Sequence, residues 1–393
     1  MGESGKRVSW VELYLDLVFV LAVGQVAQLI VAEPETQTVW IALGLFFALW
    51  WTWVGFAVFY NRHGADSRSL RLLFLAASVP AGVAAVAVEP ASTGDSAVFA
   101  ASLAVVRLLL AWANAAVAGE GLLGHRITRG YVVSAALFAI SIWVSEPGRY
   151  VLWAIGIAIE SGPTLAEDRR AAHRVRREGL AALRPHDPSE ALDAHHFAER
   201  FGLFLIIVLG EVLVEAGAAS VDGDLADAAI WSGLVAAMVL AAGLWWVYFD
   251  AAAELNLRVL ELTGGSPAMA RAVFAVGHML PAFSLLVTAA GVGLLLEEDP
   301  PEIAAWLACI GVGAYLAGTR GSLRAGGRLP VAVRVVALVA TFQLARLRPE
   351  LSVHAYLWLL AGWVAVCALL TTRGRPVDDA ELQRLATREA GRS

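Results

Sequence analysis

Residues 10–28 read WVELYLDLVFVLAVGQVAQ, an apolar run of helical length that carries Glu12, Asp16 and Gln25 where hydrocarbon is expected. Extended to residue 31, it is long enough as a helix to cross a bilayer core of roughly 30 Å. The pattern returns at 196–215, a second apolar segment that carries Glu199 and Glu211. ELYL at 12–15 aligns with ERFG at 199–202, and Gly24-Gln25 aligns with Gly210-Glu211. An ionisable group at the centre of a spanning helix costs about 2.5–3.5 kcal/mol on insertion scales, so such groups turn toward the bundle interior or toward water. Two copies of this unfavourable arrangement point to a polar interior built from two matching segments.

The rest of the chain has the same character. Over 393 residues, 59% are hydrophobic and only 16% are charged, with a mean hydropathy of +0.66. A soluble domain carries about 25% charged residues. Strand-like alternation is missing, so helices are expected to satisfy the backbone in the membrane. The fold class expected is an all-α polytopic bundle of about twelve spans, near 10–31, 38–60, 68–88, 95–118, 129–145, 149–163, 196–217, 226–250, 268–295, 301–319, 330–347 and 351–371. The run at 149–163 is short and the run at 330–347 holds Arg334, and Arg149, Arg346 and Arg348 beside them depart from the charge pattern below, so these two spans are the weakest and a ten-helix version stays open.

Basic residues fall on alternate connections. Lys6 and Arg7, Arg62, Arg68 and Arg71, Arg126 and Arg129, the block 169–184, Arg258 and Arg271, Arg320, Arg324 and Arg328, and the C-terminal tail share one side. The other side carries Glu33, Glu35, Glu89, Asp95, Asp222, Asp224, Asp227, Glu297, Glu298 and Asp299. The positive-inside rule then puts both termini of a multi-pass membrane protein in the cytoplasm. The net charge of −6 sums a basic inner face and an acidic outer one, so it implies no nucleic-acid partner. The carboxylates at 12 and 16 and the length of the run argue for a retained first helix over a cleaved signal peptide.

The organisation expected is a first six-helix repeat over 1–163, a charged cytoplasmic linker over 164–195, a second six-helix repeat over 196–372 and a tail over 373–393. The linker's six arginines are matched by six acids, which reads as a solvated and partly helical segment. Trp50, Trp51 and Trp53 are answered by Trp245, Trp246 and Tyr248, and Arg71 with Pro80 by Arg271 with Pro281. Six spans per copy keep both copies in the same orientation, with parallel repeats and a site at their interface.

Two polar levels follow from the spacing. Glu12 and Asp16, four residues apart, share a helix face. With Glu199 and Arg200 they form a candidate structural ion-pair lock between the halves. Gln25 and Glu211 lie roughly 18–20 Å further along at 1.5 Å per residue. Together with Asp16, Arg107 and His278 they are the candidate ion or substrate ligands. Trp51, Trp53, Trp246 and Tyr248 read either as an interfacial aromatic belt or as the lining of a cavity. Cys309 and Cys367 lack CxxC spacing and read as apolar packers, so no metal site is expected. P-loop, GxSxG and HExxH motifs are missing from the sequence, and neither an enzyme nor a cofactor is expected.

The two signatures, VSWVELYLDLVFV from Val8 and AERFGLFLIIVLGE ending at Glu211, resemble those of the bacterial low temperature requirement A (LtrA) family. The resemblance extends to Asn61-Arg62, Arg107, Trp246-Val-Tyr-Phe-Asp250 and His278, and covers most of the chain. The sequence departs from the pattern at His63-Gly64, where an aromatic-acidic continuation is expected. The resemblance implies a polytopic inner-membrane protein, named for growth at low temperature, without a settled biochemical activity. It makes Glu12, Asp16, Gln25, Glu199, Arg200, Glu211, Asp250 and His278 the positions to test. Combined with the residues, the expectation is a transporter of a small solute or ion whose carboxylates bind a proton or cation. An ion channel and a non-transporting accessory protein in envelope or stress adaptation stand as alternatives.

Overall fold

The computed structural model describes residues 8–64, 67–117, 122–185, 191–221, 227–319 and 331–372. Lys6, Arg7, Asp222, Asp224, Arg320, Arg324, Arg328 and the tail lie outside them. Every regular element among the described residues is a helix. The first part of the chain forms α1 (Trp10–Ala32), α2 (Thr36–His63), α3 (Arg68–Val86), the short α4 (Val88–Ser92), α5 (Ala97–Val117), α6 (Leu122–Ser141) and α7 (Gly148–Glu178). The second part forms α8 (Ala194–Val221), α9 (Ala228–Trp246), α10 (Ala253–Leu262), α11 (Pro267–Ala270), α12 (Met279–Leu295), α13 (Ile303–Gly318), α14 (Val331–Leu344) and α15 (Val353–Thr372).

Among the described residues, eight helical stretches are long and apolar enough to cross a membrane, and Ile303–Gly318 is a shorter apolar helix. Their outward faces are hydrocarbon: Leu17, Trp40, Leu72, Trp112 and Trp231 are all more than half exposed. Exposed apolar surface on this scale is intolerable in water and natural in lipid.

Local chemistry sets the helix ends. The Ser9 backbone N–H and hydroxyl both donate to Glu12 Oε2, at 3.0 and 3.1 Å, which fixes the start of α1. Ser67 Oγ accepts from the Leu70 amide at the start of α3, and Asp227 accepts from the Ala229 amide at the start of α9.

One expected boundary moves. The division at 163/164 falls inside α7, which carries the apolar residues of 149–163 straight into the charged stretch as far as Glu178. The expected span 268–295 stands as one apolar stretch, Pro267–Leu295, with an irregularity inside it: α11 is followed by a π-helical turn, Arg271–Val276, and α12 begins only after His278. Pro281 stands in the first turn of α12, where its missing N–H could not have bonded the Gly277 carbonyl four residues back. A second π turn, Val247–Ala252, joins α9 to α10. Single π turns within helices occur frequently at functional sites.

At the centre, α1 packs against α2, α3, α8 and α12, and α8 packs against α9, α12 and α1. The two segments that open the sequence argument are therefore neighbours. Cys309 and Cys367 are both free and buried, and Cys309 Sγ lies 3.1 Å from Tyr356 Oη.

The tightest contact is between α12 and α13. A Cβ at Gly311 would overlap Thr288 and come within 2.7 Å of the Ser284 carbonyl, and one at Gly291 would overlap the backbone of Ala308. Small residues allow backbones to approach in this way within a membrane. Gly311→Val is therefore expected to force these helices apart and to destabilise the protein by about 1–3 kcal/mol, the usual cost of overpacking. Thermal unfolding in detergent checks this, with Gly44→Val as control, because a Cβ at Gly44 meets nothing within 4 Å.

Candidate functional site

The inner level is assembled by one turn of α1 and one turn of α8. Glu12 and Asp16 face Arg200 across the contact, with Arg200 Nη1 donating to Glu12 Oε1 at 3.0 Å and Nη2 to Asp16 Oδ1 at 2.9 Å. His196, one turn before Arg200, places Nε2 3.2 Å from Glu12 Oε2. Trp53 of α2 donates its indole N–H to Asp16 Oδ1 at 2.6 Å, and the Arg200 guanidinium lies 5.6 Å from the centre of the Trp53 ring. Glu12, Asp16, His196, Arg200 and Trp53 are all fully buried.

Asn61 completes this level. Its Oδ1 accepts the Asp193 amide at 3.0 Å, which orients the side-chain amide. Nδ2 then donates to the Asp193 carbonyl and to His196 Nδ1, both at 3.0 Å. With Nδ1 accepting, the proton of the His196 ring sits on Nε2 and points at Glu12. The residue pair Asn61-Arg62 is thus divided in use, with Asn61 tying the end of α2 to the start of α8.

Glu199 is exposed, a correction to its expected place in the cluster. On a helix it sits about 100° around from Arg200, whereas His196 is one full turn away and shares Arg200's face. Trp53, expected in a belt or cavity wall, is instead a hydrogen-bond donor inside the ionic cluster. Trp246 is 48% exposed on the outer surface, and Trp51 is buried beside a separate cavity.

The outer level lies eleven residues along α8, about 16 Å at 1.5 Å per residue. Glu211 and Glu215, four residues apart and both buried, share one face of α8. Gln28 of α1 donates Nε2 to Glu215 Oε1 at 2.6 Å. Gly24 allows α1 close to the pair, since a Cβ there would stand 3.1 Å from Glu211 Oε1, and Gly293 of α12 closes on Glu215 in the same way, at 3.2 Å from its Cβ. Gln25, a candidate ligand from sequence, is half-buried; the amide that meets Glu215 is that of Gln28, three residues on. Two buried carboxylates one turn apart repel each other unless a proton or a cation offsets one of the charges. The arrangement is therefore suited to hold a proton or to exchange it for a cation.

Arg107, a candidate ligand from sequence, belongs to neither level. It is fully buried and pairs with Glu160 of α7, Nε to Oε1 at 2.7 Å, with Ser134 Oγ 3.1 Å from the same Nε and the Phe138 ring beneath the guanidinium at 4.1 Å. Asn114 donates to the Leu110 carbonyl of its own helix at 2.7 Å. His278, between the two π turns, holds Tyr248: Nε2 is 2.7 Å from Tyr248 Oη, and Nδ1 is 2.9 Å from the Val273 carbonyl. Since only a protonated Nδ1 can bond to a carbonyl, Nε2 accepts from the tyrosine. Asp250 takes part in contacts of its own.

Sequence reasoning missed Glu215, Gln28 and Glu160, and it did not place Asn61 or His196, which it read as a helix-start cap or interface residue beside His195, in the ionic cluster. Glu215 and His196 stand four residues from Glu211 and Arg200, a spacing that puts each on its neighbour's helix face. Glu160 interrupts an otherwise apolar run, a signal of the same kind.

The model of the family described as bacterial low temperature requirement A protein (LtrA) matches residues 7–371. An uncharacterized protein of Rhizobium meliloti (strain 1021) is 27% identical over 295 residues, covering 72% of this chain and 68% of its own. No solved structure matches the chain.

Proposed function

The chain belongs to the bacterial low temperature requirement A (LtrA) family, and from that premise we propose that it is a transporter, not an enzyme. It carries a small solute or ion across the cell membrane, and the Glu211–Glu215 pair takes up and releases a proton or cation in the cycle. The observation that carries this reading is the pair itself: two buried carboxyls one turn apart at the contact of α1, α8 and α12, with Gln28 donating to Glu215. A purely structural role would favour a cation opposite them, as Arg200 stands opposite Glu12 and Asp16.

In this reading the chain makes twelve crossings in two parallel six-helix repeats, with both termini cytoplasmic. Packing supports it, since α1 lies against α2 and α3 as α8 lies against α9 and α12. The inner ionic cluster then holds the halves together and shuts that end, and rocking of the halves about it exposes the pair to each side in turn. The buried, ion-paired inner level also favours a second reading, a non-transporting accessory protein whose halves are locked.

Ion flux decides between them. Proteoliposomes with the purified protein are expected to pass protons or an alkali cation down an imposed gradient faster than empty vesicles. Flux equal to that of empty vesicles for protons and for every alkali cation would overturn the transport reading.

A further inference from the structure

A cavity of about 640 Å³ lies away from both carboxylate levels, between α2, α5, α6 and α7 and the segment around α11. That size falls within the range of small-molecule sites. Six arginines reach it from five separate parts of the chain: Arg62, Arg126, Arg170, Arg174, Arg184 and Arg271. Glu160 is the one acid among its described lining residues, and it is already paired with Arg107. The linker arginines, matched one for one by acids in sequence, are thus sorted by the fold, with Arg170, Arg174 and Arg184 turned to a common space. Arg62 and Arg271 also hold contacts within the protein.

One wall is different. Trp51, Val54, Val58 and Phe59 form an apolar side, and Tyr131 stands by Glu160 near the floor. The cavity therefore offers guanidinium groups to an anion and an apolar surface to whatever the anion is attached to. Guanidinium forks match phosphate oxygens two at a time, which distinguishes phosphate from a simple halide.

We propose that this cavity is a binding site for a phosphate-bearing anion with an apolar or aromatic body. Two sources share that chemistry: a water-soluble phosphate compound, or the headgroup of an anionic phospholipid, which basic pockets between transmembrane helices take up. The site is independent of the carboxylate pair, and its occupancy is measured by binding, so it stands or falls separately from transport.

The test uses the full chain in nanodiscs. In phosphatidylcholine discs, titration with pyrophosphate is expected to release heat and raise the unfolding midpoint, with an affinity that falls as salt is added. R62Q/R174Q is expected to weaken binding at least ten-fold, R62K/R174K to recover part of it, and R177Q, an exposed change outside the cavity, to leave it unchanged. Should only discs containing phosphatidylglycerol stabilise the wild type, with that gain lost in R62Q/R174Q, the headgroup is the anion. Arg174 is exposed on α7, so R174Q alone supplies a folded variant that must still show reduced affinity. The proposal is overturned if neither pyrophosphate nor phosphatidylglycerol stabilises the wild type, or if R62Q/R174Q responds to both as the wild type does.

Discussion

Arg200→Ala is expected to cut the yield of folded protein sharply and to lower its unfolding midpoint more than any other single change considered. The substitution leaves Glu12 and Asp16 buried, one turn apart and without their shared cation. Breaking a buried ionic group by removing one partner costs about 3–5 kcal/mol, chiefly because the remaining charge stays desolvated. Two carboxylates are stranded here, with the Ser9 amide and hydroxyl and the His196 ring N–H left to serve Glu12 and the Trp53 indole N–H left to serve Asp16. A neutral cluster behaves differently. Arg200→Met combined with Glu12→Gln and Asp16→Asn removes the stranded charges, and is expected to recover much of the lost stability. Unfolding midpoints in detergent read both effects, and an Arg200→Ala protein as stable as the wild type would refute the ionic lock.

Glu211→Gln is expected to have the opposite profile, with a folded protein and lost ion flux. Glutamine keeps the shape of glutamate, and its amide can donate to Glu215 as a protonated carboxyl would. The stability change is therefore expected to stay within about 1 kcal/mol, the usual scale of one exchanged hydrogen bond. The amide neither binds nor releases a proton at ordinary pH, and it leaves one negative charge fewer for a cation. Flux in proteoliposomes is expected to fall at least ten-fold, to the level of Glu215→Gln. Wild-type flux in both variants would remove the pair from the transport cycle.

These contrasting outcomes track what the sequence discloses. That Glu12 and Asp16 share a face, and that Arg200 comes from the matching segment, is legible from spacing of four and from the one arginine in either copy. That Trp53, Asn61 and His196 complete the cluster is not, because their contacts span 37 to 184 residues of chain. Apolar runs mark where helices lie, yet the π turns at Val247–Ala252 and Arg271–Val276 sit inside runs that read as continuous. Hydropathy averages over a window and does not register one extra residue in a turn. The arginine cavity is the clearest case of information held only by the fold. Arg62 and Arg271 are remote in sequence, and nothing in either neighbourhood announces the other. Glu215 was legible and overlooked, at the end of the very segment that carries Glu211.

The central claim, that the Glu211–Glu215 pair holds an exchangeable proton, is tested most directly by infrared difference spectroscopy of the reconstituted protein across a pH titration. The account predicts a protonated-carboxyl C=O band that titrates in the wild type and vanishes in both Glu211→Gln and Glu215→Gln. A titrating band that persists unchanged in both variants, or a wild-type spectrum without one, would contradict it.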